Sequence, residues 1–308
     1  MLTYISLIIN MIAEGKVLTS KGYYKYLKHI QTGDKVMNMY GKPVAIKNIV
    51  IRNCNDLTAI HHDAWHGSII MPKHQTVLTW DNKIEKPVWR PVQFFEEIDD
   101  SHKHFPVPCN ITFDHDKFLH SHLKPSYKLG YIFGLFLVCG KLLNAPQVQF
   151  EINMLNSHTH SKLYDIIMEL FRDTLISISI NKNNVVYNDL HLYNIFLSFG
   201  MNNKFLPEKY WCQEKNYTRG IVDGIKQFKD QNNLPHYVSE MSYWAILTAH
   251  GLFHKDQTIR KHLDTSFTIG NIQYIIDNVY DAPLYLLDVD CPSKSYIMSN
   301  IIVKNEFI

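Results

Sequence analysis

Cysteine is scarce in this sequence and has no pairing pattern. Cys54, Cys109, Cys139, Cys212 and Cys291 are odd in number, far apart and form no CxxC. That excludes a zinc ribbon and a disulfide framework, and it points to a reducing, intracellular compartment. Long apolar runs are missing as well. The N-terminal LTYISLIINMIA has no basic residue ahead of its apolar stretch. Like LGYIFGLFLVCG it is too short to cross a bilayer, so a first strand or leftover upstream segment is expected rather than a signal peptide or membrane span. Charge of one sign is not in large excess. The formal balance is +2, which pulls little on nucleic acid unless Lys and Arg gather on one surface, although 17 histidines add charge below neutral pH. With 46% hydrophobic and 19% charged residues and no low-complexity tract, a disordered tail and a collagen-like repeat are excluded. The 308 residues suffice for two cores.

From Val17 to about Trp89 the text is strand-like. Runs such as KPVAIKNIVI and TVLTW are punctuated by turn pairs at Lys21-Gly22, Gly33-Asp34, Tyr40-Gly41 and Asp81-Asn82. The stretch from Glu96 to Lys124 mixes charge, histidine and proline without a period and reads as a connection. Apolar residues then recur at helical spacing in LGYIFGLFLVCG, SKLYDIIMELFRDTL and MSYWAILTAHGLF, with alternating runs VQFEINM and ISISINKNNVVYN between them. The closing PLYLLDVDCPSKSYIMSNIIVKN returns to strand chemistry with a turn near Pro292-Ser293. β-rich text opens and closes the chain and α+β text interrupts it, the order expected of a domain inserted into a β-scaffold.

Particular segments sharpen that order. EGKVLTSKGYYKYLKHIQTGDKVM, with its Gly33-Asp34 turn, resembles the opening of Hint (intein-type, self-splicing) domains. MPKHQTVLTW resembles their "T-P-x-H-P-x-L-T" segment, and LYLLDVDCPSKSYIMSNIIVKN resembles their "V-Y-D-L-x-V … I-V-V-H-N" ending. Between these flanks, Leu129 to Gly140 resembles a first LAGLIDADG helix of a homing endonuclease. Tyr217 to Gly224, after the lead-in KFLPEKYW, resembles a second. Gly130 and Gly134, and Gly220 and Gly224, are each four apart and share a helical face. One such pair in a short apolar helix means ordinary close packing. Two pairs, ninety positions apart inside these flanks, point to the paired helices of that family.

The resemblance implies an α+β chain: an all-β Hint horseshoe in two sequence pieces, interrupted by an αββαββα-type LAGLIDADG pseudo-dimer. The boundaries expected are 1–110 for the first Hint piece, 111–127 for a linker, 128–269 for the endonuclease-like domain and 270–308 for the second Hint piece. The second half of the insert is brief, with fifty positions between Gly220 and Gly270, which leaves open the loss of a strand pair.

The family's nuclease chemistry needs one acid at the base of each helix, because two carboxylates hold the divalent metals that activate water. Here those positions fall on Cys139 and Ile225. Asp223 survives, but it occupies a place that is structural in the family, and a two-residue shift to replace the ligand would rotate it by about 200°. The family's splicing chemistry needs a Cys or Ser nucleophile at the upstream junction, where Asn10 to Ala13 offer none. His74 is retained, though Met71 replaces the family's Thr. Asn305 is retained, though Lys304 replaces the assisting His and Glu306 the downstream nucleophile. His61, His62, Asp63 and His66 could also be read as a metal group, but no matching ligands accompany them.

Three functions are therefore weighed. The first is an intein-derived homing-endonuclease homologue that binds double-stranded DNA with both chemical centres lost, needs no cofactor, and contacts phosphates through residues such as Lys215, Arg219 and Lys229. The second is an active endonuclease using Mg2+ through unorthodox ligands such as Asp223 with Glu151. The third is a non-catalytic interaction or structural protein that reuses both folds. A monomer with internal pseudo-two-fold symmetry is expected, in the cytoplasm of the host of a phage or other mobile element.

Overall fold

The computed structural model describes residues 15–54, 57–63, 68–96, 98, 103–109, 111, 113–114, 123–156, 158–171, 174–201, 214–230, 260–262, 265–277 and 282–305. The chain is mixed α+β and rich in sheet. It divides into two compact units, Met1–Asp114 with Leu247–Ile308, and His115–Ile246.

The described residues of the first unit form strands and short 3-10 turns. Its first piece carries β1 (Lys16–Leu18), β2 (Tyr24–Tyr26), β3 (Lys35–Met37), β4 (Pro43–Cys54), β5 (Leu57–His62), β6 (Ser68–Pro72), β7 (Thr76–Asp81), β8 (Lys86–Pro91) and β9 (His104–Cys109). The returning piece, numbered to follow the four strands of the second unit, carries β14 (Arg260–His262), β15 (Thr265–Asp277), β16 (Ala282–Val289), β17 (Ser295–Met298) and β18 (Ile301–Lys304). One sheet runs β2-β1-β17-β18-β7-β8, a second β14-β15-β5-β6 with β9 also on β15, and a third β16-β4-β3. Every sheet thus mixes both sequence pieces. Val17 faces Met298, Val303 faces Val77, and β16 follows β4 from Ala282↔Cys54 to Val289↔Ile46. Neither piece can satisfy its backbone donors and acceptors alone, so the two must fold together.

Local chemistry sets the corners. Gly33, at φ 90°, turns the chain between β2 and β3, a conformation that costs glycine nothing. Asp34 beside it accepts from the Gln31 amide at 2.8 Å and from Lys25 Nζ at 2.7 Å. Asp at such a turn is suited to bonding following amides, and here its carboxylate folds back onto a preceding one.

The connection expected between Glu96 and Lys124 contains a strand. β9 pairs with β15 over six positions, from Ser266↔Cys109 to Asn271↔His104, and is buried beyond its first residue. Its two prolines mask it in the sequence. Pro106 and Pro108 lie two apart, so their missing N–H groups fall on one edge and leave the ladder to β15 intact. The expected boundaries shift accordingly. Ile111 packs on Gly41 and the Asp114 amide donates to Ser20 O at 2.8 Å, which places these supposed linker residues in the first unit. Residues 265–269, expected in the insert, are part of β15, and 266–269 pair with β9.

The second unit runs α1 (Tyr127–Cys139), β10 (Gly140–Leu142), β11 (Gln147–Glu151), α2 (Thr159–Leu170), β12 (Ser177–Ile180), β13 (Asn184–Asn188), α3 (Leu190–Ser198) and α4 (Lys215–Ile225). Its strands form one antiparallel sheet, β10-β11-β13-β12. Ser126 caps α1 through the Leu129 amide, and Asp189 caps α3 through the Leu192 amide at 2.6 Å. α1 is buried from Leu129 to Cys139, as a helix apolar on all sides must be. Phe133, Phe136, Phe150, Phe196 and Phe199 interleave edge-to-face beneath the sheet. The expected helix in MSYWAILTAHGLF and the lead-in KFLPEKYW lie outside the described residues. Among the described residues no helix is long and apolar enough to cross a membrane.

Candidate functional site

α1 and α4 run parallel and touch backbone to backbone. A methyl group at Gly130 would land on the carbonyl of Tyr217, and one at Gly134 on that of Ile221; one at Gly220 would land on the carbonyl of Tyr127, and one at Gly224 on that of Tyr131. The four glycines therefore interlock. Each accepts the carbonyl of the facing helix where any other residue would place Cβ, and the stagger of four residues on both sides keeps the register along the contact.

The helices end on Cys139 and Ile225, which are 2% and 0% exposed. The Cys139 thiol donates to Leu135 O at 3.2 Å within its own helix. A hard divalent cation takes oxygen ligands, and a helix-bonded thiol and an isoleucine side chain supply none, so this pair does not fit the Mg2+ that the resemblance implies. Asp223 sits elsewhere. It lies two residues before Ile225 on α4, and its carboxylate turns back to accept from Tyr127 Oη at 3.1 Å, while Arg219 Nε approaches it to 3.8 Å. Burial pushes the Tyr127 phenol up to about 12, and the Asp223 charge adds to the shift. Glu151 ends β11, opposite Asn184. Among the described residues no three His, Cys, Asp or Glu side chains gather to hold a metal.

The phosphate-contact candidates are dispersed. Arg219 is exposed on α4 beside Asp223, whereas Lys229 follows α4 and donates to Asn153 O at 2.7 Å. The Lys215 side chain lies outside the described residues.

The face of the four-stranded sheet turned away from the helices was not singled out in the sequence. β11 and β13 alternate strictly, burying Val148, Phe150, Val185 and Tyr187. The other face carries the rows Ser177–Asn188–Gln147 and Ser179–Val186–Gln149–Lys141, then Asn184 beside Glu151. The signal was present in QVQFE and NVVYN, where outward positions are mostly amides.

In the first unit the structure brings the His74 turn and Asn305 close together. Gln75, wholly buried, donates through Nε2 to Lys304 O at 3.1 Å. Asn305 is also wholly buried; its backbone amide donates to Lys294 O at 2.8 Å and its side-chain amide to Leu287 O. The side-chain nitrogen is thus engaged by a main-chain carbonyl. Met71 is buried, and the Lys304 ammonium lies 5.8 Å from the Trp89 ring centroid. Asn10 to Ala13 and Glu306 lie outside the described residues. Replacing Asn305 by Ala orphans the Leu287 carbonyl, and denaturant titration should show a loss of about 1–3 kcal/mol. An unchanged midpoint would remove this structural role.

The histidine group splits apart. His61 stacks on Tyr274 with centroids 4.2 Å apart, while Asp63 accepts from the Asn271 amide at 2.8 Å and from its side chain at 2.7 Å. His62 points inward, edge-on to Phe105 at 4.9 Å, and neither ring nitrogen has a well-formed hydrogen bond. Burial pushes its pKa down to about 3, the Ser299 backbone opposing only in part and the His61 charge adding to the shift. These side chains do not converge on a common point, and His66 lies outside the described residues.

A solved structure of a mutant of an Ssp DnaB mini-intein variant is similar to this chain at 9% identity and a TM-score of 0.37, over 97% of this chain and 99% of that one. No protein-family model matches the chain, and neither does a curated protein.

Proposed function

We propose that the chain is a duplex-DNA-binding homologue of intein-type homing endonucleases that has lost both nuclease and splicing chemistry. The observation that carries this reading is the glycine-interlocked helix pair ending on Cys139 and Ile225. The close backbone approach of α1 and α4 at four glycines supports the LAGLIDADG resemblance, while the two positions that would need carboxylates hold buried side chains without oxygen. The rest of the second unit supports it. An αββαββα succession leaves one sheet face outward and polar, and its central strand pair, β11 with β13, has the width of a β-ribbon that the major groove admits. Splicing is opposed by Met71 and Lys304, which replace the residues that would assist it, and by the Asn305 amide held on Leu287 O.

Fluorescence anisotropy with a labelled random duplex tests the binding half. Affinity should fall steeply and log-linearly as salt rises, because phosphate contacts release counterions. No binding even at low ionic strength would overturn the reading in favour of a protein-interaction role.

A further inference from the structure

Resting on that DNA-binding reading, we infer that the outward face of the four-stranded sheet reads A·T base pairs in the major groove. Its chemistry selects the base. Among the described residues of the four strands, Lys141 and Glu151 alone are charged and none is Arg. Guanine is read chiefly by Arg or Lys on O6 and N7, whereas adenine is read by the amide of Asn or Gln, which accepts from N6 and donates to N7. Gln147, Gln149, Asn184 and Asn188 supply four such amides on one face. Val186, between Ser179 and Gln149 in the second row, offers the apolar contact that suits the thymine methyl.

The spacing fits. Outward residues along a strand recur every ~6.8 Å, about two base-pair steps, so the Gln147–Asn188 and Gln149–Val186 rows address positions roughly two base pairs apart. Gln149 is also oriented in advance. Its Nε2 donates to Asn184 Oδ1 at 3.3 Å, which leaves its carbonyl oxygen and a second N–H for the acceptor and donor that adenine requires. Lys141, at the β10 edge of that row, is the residue suited to a flanking guanine or phosphate.

The test is selection of the full-length protein on a random duplex pool at low salt, followed by sequencing. The retained duplexes should share an A·T-rich core of about four or five base pairs. Gln149→Ala should relax one position by about tenfold, and Gln149→Arg should convert that position to G·C. A G·C-rich core, or an A·T-rich core untouched by both substitutions, would overturn the inference while leaving DNA binding in place. Failure to retain any duplex would instead overturn the DNA-binding reading, and this inference with it.

Discussion

Gly134→Ala is expected to destabilise the second unit by about 3 kcal/mol or more, the upper range for overpacking. The sign makes the result diagnostic. In a helix interior, Gly to Ala ordinarily gains about 1 kcal/mol because alanine loses less backbone entropy. At Gly134 the new methyl meets the Ile221 carbonyl, main chain rather than the tip of a flexible side chain, and the Ile225 amide lies 3.0 Å from the same point. Relief requires pushing the two helix backbones apart, which also disengages Gly130, Gly220 and Gly224. The first unit has its own sheets, so hydrogen exchange should rise across α1 and α4 before it rises in β4 or β16. A neutral or stabilising Gly134→Ala would mean that the helices stand further apart than described.

Acid should weaken the first unit through His62. Its folded pKa, about 3, lies below the ordinary histidine value of 6.5, so the stabilising contribution of the neutral ring is complete above pH 6.5 and is lost as the pH falls from there towards 3. Unfolding takes up one proton in that window, and stability drops by about 1.4 kcal/mol per pH unit on this account alone. His61, which stacks on Tyr274 and is partly exposed, has a smaller shift in the same direction and the same cause, burial. Carboxylates such as Asp277, whose pKa is lowered by Lys73 and Thr58, contribute their own loss only at lower pH. Comparison with His62→Phe isolates the histidine. The variant should show a flatter profile between pH 6.5 and 5, and parallel profiles would show that the ring is hydrated or paired.

What could be read in the sequence depended on how local the physics was. The interlocking glycines were legible because a four-residue spacing places them on one helical face whatever else surrounds them. The turn at Gly33 and the strands of 17–89 were legible for the same reason. β9 was not, since HFPVPC has the composition of a loop and becomes a strand only against β15, more than 150 positions away. Nothing local marked His62 as the buried member of its histidine group; its burial depends on Phe105 and on the pairing of β5 with β15, both long-range. Cys139 and Ile225, the positions where the LAGLIDADG resemblance implies acids, were legible once the two helical segments were aligned. The polar face opposite them required the strand registers, because QVQFE and NVVYN say which residues alternate but not which rows they form.

The central claim, DNA recognition without nuclease chemistry, is tested most directly by incubating the purified protein with the duplexes it retains, in Mg2+, and sequencing every DNA end. The account predicts that the retained duplexes are recovered intact, with no ends beyond those of the input. Mg2+-dependent double-strand ends at a fixed position would contradict it, and would place catalytic carboxylates somewhere other than Cys139 and Ile225.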